Sequence, residues 1–386
     1  MRVAAGRGWR GALYWPLLAP AAALTAFGLL FLSGVVVDRG PIHMDDWHVR
    51  QVSGVAVGLA LAVVCVLVPY KALVAQAYLL YAGTLALLVL VLAAGVTRNG
   101  AQRWIDLFGF DVQPSEVMKL TLVLTLARFI RFRSSYKTFK GLGAPFLLTL
   151  LPMALVLKQP DLGTALLCIP ILFTMLFVAG ARLKHLLTIV VLGTLSILPV
   201  YEWGLKPYQR DRVDAFLFSL VPSRHEGSDA RHYRQGDGYQ MHQSQVAIGS
   251  GGWTGVGLGE GHGHASGRVP ERQTDFIFAV LGNEWGLFGG LLVLVLYALL
   301  LVAILAVAVR HRDPAGRLIC VGVFALFAFQ TFINLAMTVG LMPVTGLTLP
   351  FLSYGRSSMV ASLAAVALVC NVAARPSYEF GRRDFD

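Results

Sequence analysis

The sequence predicts an all-α integral membrane protein of ten transmembrane helices, with a long extracytoplasmic segment, residues 205–274, between the seventh and eighth. Three observations predict it. Of 386 residues, 56% are hydrophobic and only 14% are charged. Apolar runs of about 18 or more residues, each able to cross a ~30 Å hydrocarbon core, recur from end to end. Outside the long segment, most lysines and arginines fall in alternate short loops, as cytoplasmic loops require. The net charge of +11 therefore reads as a topology signal and not as a nucleic-acid surface. The whole chain, 1–386, is expected to be one membrane domain.

The first helix, about 11–37, follows Arg2, Arg7 and Arg10. It is too long for a secretory signal and lacks a small-residue cleavage site. The second is expected at 54–69 and the third at 72–96. The fourth follows Pro114 and ends in a basic cluster, and the fifth and sixth cover 142–157 and 162–181. The seventh runs to about 204. The eighth, 276–309, is too long for one straight crossing, so part tilts or leaves the bilayer. The ninth and tenth cover 318–342 and 358–374. Ten crossings leave both termini cytoplasmic. Cys65, Cys168, Cys320 and Cys370 all lie in apolar runs, as small core residues without disulfide or zinc spacing.

This arrangement gathers the polar, turn-rich motifs on the outer side, where irregular backbone needs protein or water around it. They are expected to line one outward-facing wet cavity. The inner loops are short and basic, with nothing resembling an ATP site, so a substrate carrying its own energy is expected.

Asp275 stands at the mouth of the eighth helix, where an ionisable group is either a helix cap or a functional group. On one continuous helix, Gly282, Gly286 and Gly290 would share its face and let another helix approach. In QPSEVMK, Pro114 suits a first helical turn, and Glu116 and Lys119 stand three apart on one face. They form a structural ion pair or contact an anionic substrate. Arg103 and Trp104 put a cation and an aromatic at the interface, where tryptophan is ordinarily an anchor. In KQPDLGT, Asp161 either caps the sixth helix or acts on substrate, with Lys158 beside it. The glycine-dense stretch 239–261 reads as a flexible loop or as tight backbone packing before a phosphate cradle. His262 and His264 lack a third placed ligand, so no metal is predicted.

The motifs GAQRWID, QPSEVMK, KQPDLGT, QSQVAIGSGGWTGVGLGEG, PERQTDFIFAVLGNEWG and MPVTGLTLPFLSYGRSS together resemble the SEDS family (shape, elongation, division and sporulation proteins), in family order from about 100 to 358. The wording PERQTDFIF and the short termini lean toward its elongation members over its division members. The resemblance implies a peptidoglycan glycosyltransferase that polymerises lipid II on the outer face of the bacterial cytoplasmic membrane. It implies membrane lipid around the chain, an undecaprenyl-pyrophosphate-linked glycan as donor, and a class B penicillin-binding protein as partner. The family's essential aspartate matches Asp275, proposed as general base. Its other important positions match Trp104, Glu116, Lys119 and Asp161, with Arg103 and Lys158 in the same motifs. The chain departs at Gln273, where the family often has His, and at Arg356, where it has Gly. A divalent cation could assist at the pyrophosphate, but no convincing ligand set is visible. Burial would raise the pKa of Asp275, and nearby cations would lower it. A lipid II flippase would need polar groups toward both faces, and a scaffold has little need of charges at its mouth; both are weaker readings.

Overall fold

A computed structural model describes residues 14–36, 44–98, 101–107, 109–133, 135–204, 207–219, 237–259 and 269–375. Its helices are α1 (Trp15–Val36), α2 (Met44–Leu67), α3 (Tyr70–Ala75), α4 (Ala77–Ala94), α5 (Pro114–Arg131), α6 (Gly143–Lys158), α7 (Leu162–Val178), α8 (Leu183–Leu195), α9 (Pro207–Ser219), α10 (Asp237–Ser250), α11 (Ile277–Arg310), α12 (Pro314–Thr338) and α13 (Arg356–Ala374). Among the described residues, seven helices are long and apolar enough to cross a membrane, and two shorter apolar ones accompany them. Helix α5 carries Glu116, Lys119, Arg128 and Arg131, too many charges for a lipid-facing helix. It is instead enclosed by its neighbours: with α12 and α13 it forms the buried centre of the bundle.

The helices begin where local chemistry allows. Pro114 opens α5 at a position whose N–H has no intrahelical partner. Asp161 caps α7 by accepting from Thr164 N at 3.2 Å, and Asp313 caps α12 by accepting from Gly316 N at 3.3 Å.

Four expectations are corrected. The fold is not purely helical: β1 (Val96–Arg98), β2 (Ala101–Leu107) and β3 (Phe110–Val112) form an antiparallel sheet in the order β1-β2-β3. Gly109, at φ 81°, makes the second turn, and its N–H is held by Asp106 Oδ1 at 2.7 Å. Second, the third predicted span is two helices, α3 and α4, separated at Gln76. Third, the segment 205–274 is not irregular throughout: its described residues hold helices α9 and α10 as well as turns at 251–259 and 269–274, and His262 and His264 lie outside the described residues. Fourth, α11 is not continuous. Gly286, at φ 62° and ψ −157°, breaks it, so the face shared by Asp275 and three glycines ends there.

The glycine-rich run explains how that break is tolerated. A broken helix frees backbone groups, which must find partners at membrane depth. Leu287 N donates to Gly252 O at 2.9 Å and Phe288 N to Trp253 O at 3.2 Å. In return Val256 N and Gly257 N donate to Asn283 O and Glu284 O, both at 3.0 Å. A Cβ on Gly255 would sit 2.1 Å from Glu284 O. Around Gly251–Gly257 the run is therefore a backbone wedge, the tight-packing alternative of the two.

At the opposite end of the bundle, Asn371 of α13 closes the break between α2 and α3. Tyr70 N donates to Asn371 Oδ1 at 3.0 Å, and Asn371 Nδ2 donates to Cys65 O and Val68 O. The Tyr70 hydroxyl donates to Asp313 Oδ2 at 3.0 Å, and Asp313 pairs with Arg131 at 3.3 Å.

Candidate active site

A cavity of about 540 Å³ opens at one end of the bundle. Its walls come from the starts of α2, α5, α7 and α13, from the β2–β3 hairpin, from α9 and α10, and from the turns before α11 and after α12. Arg103, Trp104, Glu116, Asp161 and Asp275 all line it.

The turn 269–276 holds Asp275. Glu271 adopts a left-handed φ of 48°, uncommon for a residue with a side chain. Its carbonyl accepts from Thr274 N at 3.1 Å, Asp275 N at 3.2 Å and Phe276 N at 3.4 Å. The N-cap of α11 is Phe276 and has no side-chain cap, so the capping reading of Asp275 fails and its carboxylate is left for the cavity. Gly346, at φ 73°, brings the segment after α12 alongside: a Cβ there would lie 3.7 Å from Asp275 Oδ2. Burial pushes the Asp275 carboxyl up to about 7. The Glu271 carboxylate adds to the rise, the Arg212 and Arg103 guanidinium groups oppose it, and Asp161 raises it a little further.

The other acids and cations are tied down. Lys119, 2% exposed, donates to Glu116 Oε1 at 2.9 Å and to Gln330 Oε1 at 3.1 Å. The ion-pair reading is thus realised, with Glu116 on the cavity wall and Lys119 behind it. Gln330 in turn donates to Thr348 O at 2.9 Å, joining α5, α12 and the segment leading to α13. Besides capping α7, Asp161 accepts through Oδ2 from Gln113 Nε2 at 3.1 Å and Ser115 Oγ at 3.2 Å. Arg103 donates to Gln159 O at 3.1 Å and to Pro160 O, which ties β2 to the turn before α7.

Lys158 does not join the cavity; it ends α6 with its side chain exposed. Sequence reasoning missed Trp47, Arg50, Asp111, Arg212, Glu271 and Tyr354, all on the wall. Arg212 and Arg50 were hidden in long polar segments, and Glu271 stood in plain view within PERQTD. Arg356, unexplained in the sequence, pairs with Asp111 at 2.7 Å, donates to Gly109 O at 2.8 Å and lies over the Phe110 ring at 4.8 Å. It clips the hairpin to the start of α13. Among the described residues, no three carboxylate, histidine or cysteine side chains are grouped to hold a metal ion.

A bundle of apolar helices carrying one polar, charge-lined cavity at its end defines a membrane-embedded protein acting at a membrane surface. The chain belongs to the FTSW_RODA_SPOVE family of cell cycle proteins, whose model matches residues 15–378. It is similar to peptidoglycan glycosyltransferase MrdB of Escherichia coli K12, 35% identical over 92% of this chain and 93% of that protein. Peptidoglycan glycosyltransferase RodA of Treponema pallidum is 32% identical over 93% of this chain and 97% of its own. A probable peptidoglycan glycosyltransferase FtsW of Bacillus subtilis is 33% identical over 93% and 90%. Among solved structures, a chain of a peptidoglycan synthase complex described as coordinating polymerization and crosslinking superposes with a TM-score of 0.76, at 35% identity over 93% of this chain and 97% of that one. The rod shape determining protein RodA of Thermus thermophilus gives 0.65, at 32% identity over 93% and 96%.

Proposed function

We infer that this chain is a peptidoglycan glycosyltransferase, and we propose that it polymerises lipid II on the outer face of the cytoplasmic membrane. The observation that carries the mechanism is Asp275, held uncapped at a cavity wall with its carboxyl near pH 7. A base of that strength ionises at the operating pH and still accepts a proton readily. Asp275 removes the proton from the GlcNAc 4-hydroxyl of the acceptor as that oxygen attacks MurNAc C1 of the donor, with inversion. The new glycosidic bond forms as the C1–O bond to undecaprenyl pyrophosphate breaks, and the electron pair leaves with the phosphate. Arg103, on the wall, offsets the charge developing there. Trp104, Glu116 and Asp161 shape the site around the substrate, and Lys119 holds Glu116 in place.

The proposed topology counts α1, α2, α3 with α4, α5, α6, α7, α8, α11, α12 and α13 as ten crossings of one membrane domain. Both termini are then cytoplasmic and the cavity is extracytoplasmic. The PERQTDFIF wording favours service in elongation over division. A class B penicillin-binding protein is the proposed partner, supported by the likeness to a chain of a synthase complex that couples polymerization to crosslinking.

The test is purified protein with lipid II, alone and with the partner inactivated for any glycosyl transfer, read as glycan length on a gel. Polymer from wild type and none from Asp275→Asn is expected. Polymer from the Asn variant overturns the base assignment. No polymer from wild type, with the partner present and lipid II intact, overturns the polymerase reading.

A further inference from the structure

The seven tryptophans divide by surroundings. Trp15, Trp203 and Trp253 are 66%, 85% and 69% exposed, the disposition of rings that anchor in the membrane interface. Trp47 differs. It is half-buried, lines the cavity, and meets the Tyr354 ring at 4.9 Å between centroids and 36° between planes.

The pair is rigidly mounted. Gln51, one turn after Trp47 on α2, donates to Ser353 O at 3.2 Å and accepts from Gly355 N at 3.0 Å, gripping both neighbours of Tyr354. Tyr354 N donates to Gln273 O at 2.8 Å, two residues before Asp275. The two rings are therefore tied through backbone to the segment bearing the proposed base. A buried glutamine that clips the chain on either side of a wall tyrosine lowers the ordering cost of any ligand set against it.

We propose that Trp47 and Tyr354 form a stacking platform for a pyranose ring of the glycan substrate. A pyranose presents a face of C–H groups, apolar and partially positive, which suits the electron-rich face of an aromatic ring. Its hydroxyls then turn toward polar wall residues, among them Arg50 and Thr274. The cavity volume, about 540 Å³, lies in the range that encloses ligands of this size. The platform contacts sugar and not lipid or pyrophosphate, so its loss should be felt by the glycan substrate and not by the sugar-free lipid. This proposal rests on the polymerase reading above.

The test measures KM and kcat for lipid II together with the inhibition constant of sugar-free undecaprenyl pyrophosphate, in wild type, Trp47→Ala, Trp47→Leu and Trp47→Phe. Trp47→Ala and Trp47→Leu are expected to raise KM roughly five- to tenfold, in line with the energy of an aromatic contact, with kcat changing less. Trp47→Phe should recover most of the loss, and the inhibition constant should stay at the wild-type value in every variant. An unchanged KM overturns the platform, as does a parallel rise in KM and the inhibition constant. If the alanine variant does not fold, the leucine and phenylalanine variants decide: equal KM values for these two overturn it. Wild type that makes no polymer overturns the polymerase reading and the platform with it, and is told apart by that result.

Discussion

Asn334 donates its side-chain amide to the main-chain carbonyl of Asp275 at 2.9 Å and to that of Leu347 at 2.6 Å. It lies fully buried on α12, one turn beyond Gln330. That single side chain fixes the distance between the proposed base and the segment after α12, which includes Gly346 beside the Asp275 carboxylate. Asn334→Leu removes both hydrogen bonds while keeping the number and branching of the side-chain heavy atoms. The expected result is a kcat lowered roughly 10- to 100-fold, the scale of a misplaced catalytic group, with KM little changed. Steady-state rates on lipid II check it, and an unaltered kcat would remove Asn334 from the positioning of Asp275.

The raised pKa of Asp275 sets a pH dependence. A general base works when ionised, so the rate should rise through about pH 7. Glu271→Gln removes the negative charge that helps hold the proton, so the acidic limb should move to lower pH. Arg212→Gln removes an opposing positive charge and should move it higher. Stability runs the other way. The folded state favours the protonated acid relative to the unfolded chain, so wild type loses stability as pH rises from about 4 to about 7. Asp275→Asn should therefore melt higher than wild type above pH 7. A limb that ignores both charge changes would mean that another group is titrating.

Glu116 and Lys119 separate structure from chemistry. Removing one member leaves a buried charge alone, at a cost of about 3–5 kcal/mol. Lys119→Met and Glu116→Gln should each lower the melting temperature, one by stranding a carboxylate and the other an ammonium. The double variant should recover much of that stability. If Glu116 touches substrate, the stable double variant still polymerises poorly. Full activity in it would assign the pair to scaffolding alone.

Gly286→Ala tests the wedge. At φ 62° an alanine is strained, and its Cβ would lie 2.5 Å from Gly255 N and 2.6 Å from Trp253 C. Backbone atoms cannot yield as a flexible side chain can. A loss of order 1–3 kcal/mol from the conformation alone, and more from the clash, is expected as a lower melting temperature in detergent. Wild-type melting would mean that the break at Gly286 does not need its glycine.

Five of the residues on the cavity wall were legible because they sit in compact motifs, where charge, proline and helix start coincide: Arg103, Trp104, Glu116, Asp161 and Asp275. Asp161 was read both ways, and its cap is now seen beside its contacts to Gln113 and Ser115. Asp275 was also open to two readings, and capping falls because the helix starts one residue later than an aspartate cap requires. The hairpin was missed because its short strands are bounded by apolar spans and read as loop. Trp47 with Tyr354, and Arg356 with Asp111, 245 positions apart, could not be read at all. No local period connects such residues; only the closed bundle does. Lys158 shows the reverse: it stands inside one of these motifs, yet packing leaves it off the cavity wall.

The Asn371 knot has a consequence in time. Tyr70 waits for a partner 301 positions further along the chain. At a synthesis rate of about 5–20 residues per second, that is an interval of roughly 15–60 s. Until then the carbonyls at the end of α2 must rely on water at the membrane surface, and the last helix arrives as the keystone that dries the joint. Chains truncated before residue 371 should therefore remain open to a membrane protease at Val68–Tyr70 long after their other helices have inserted.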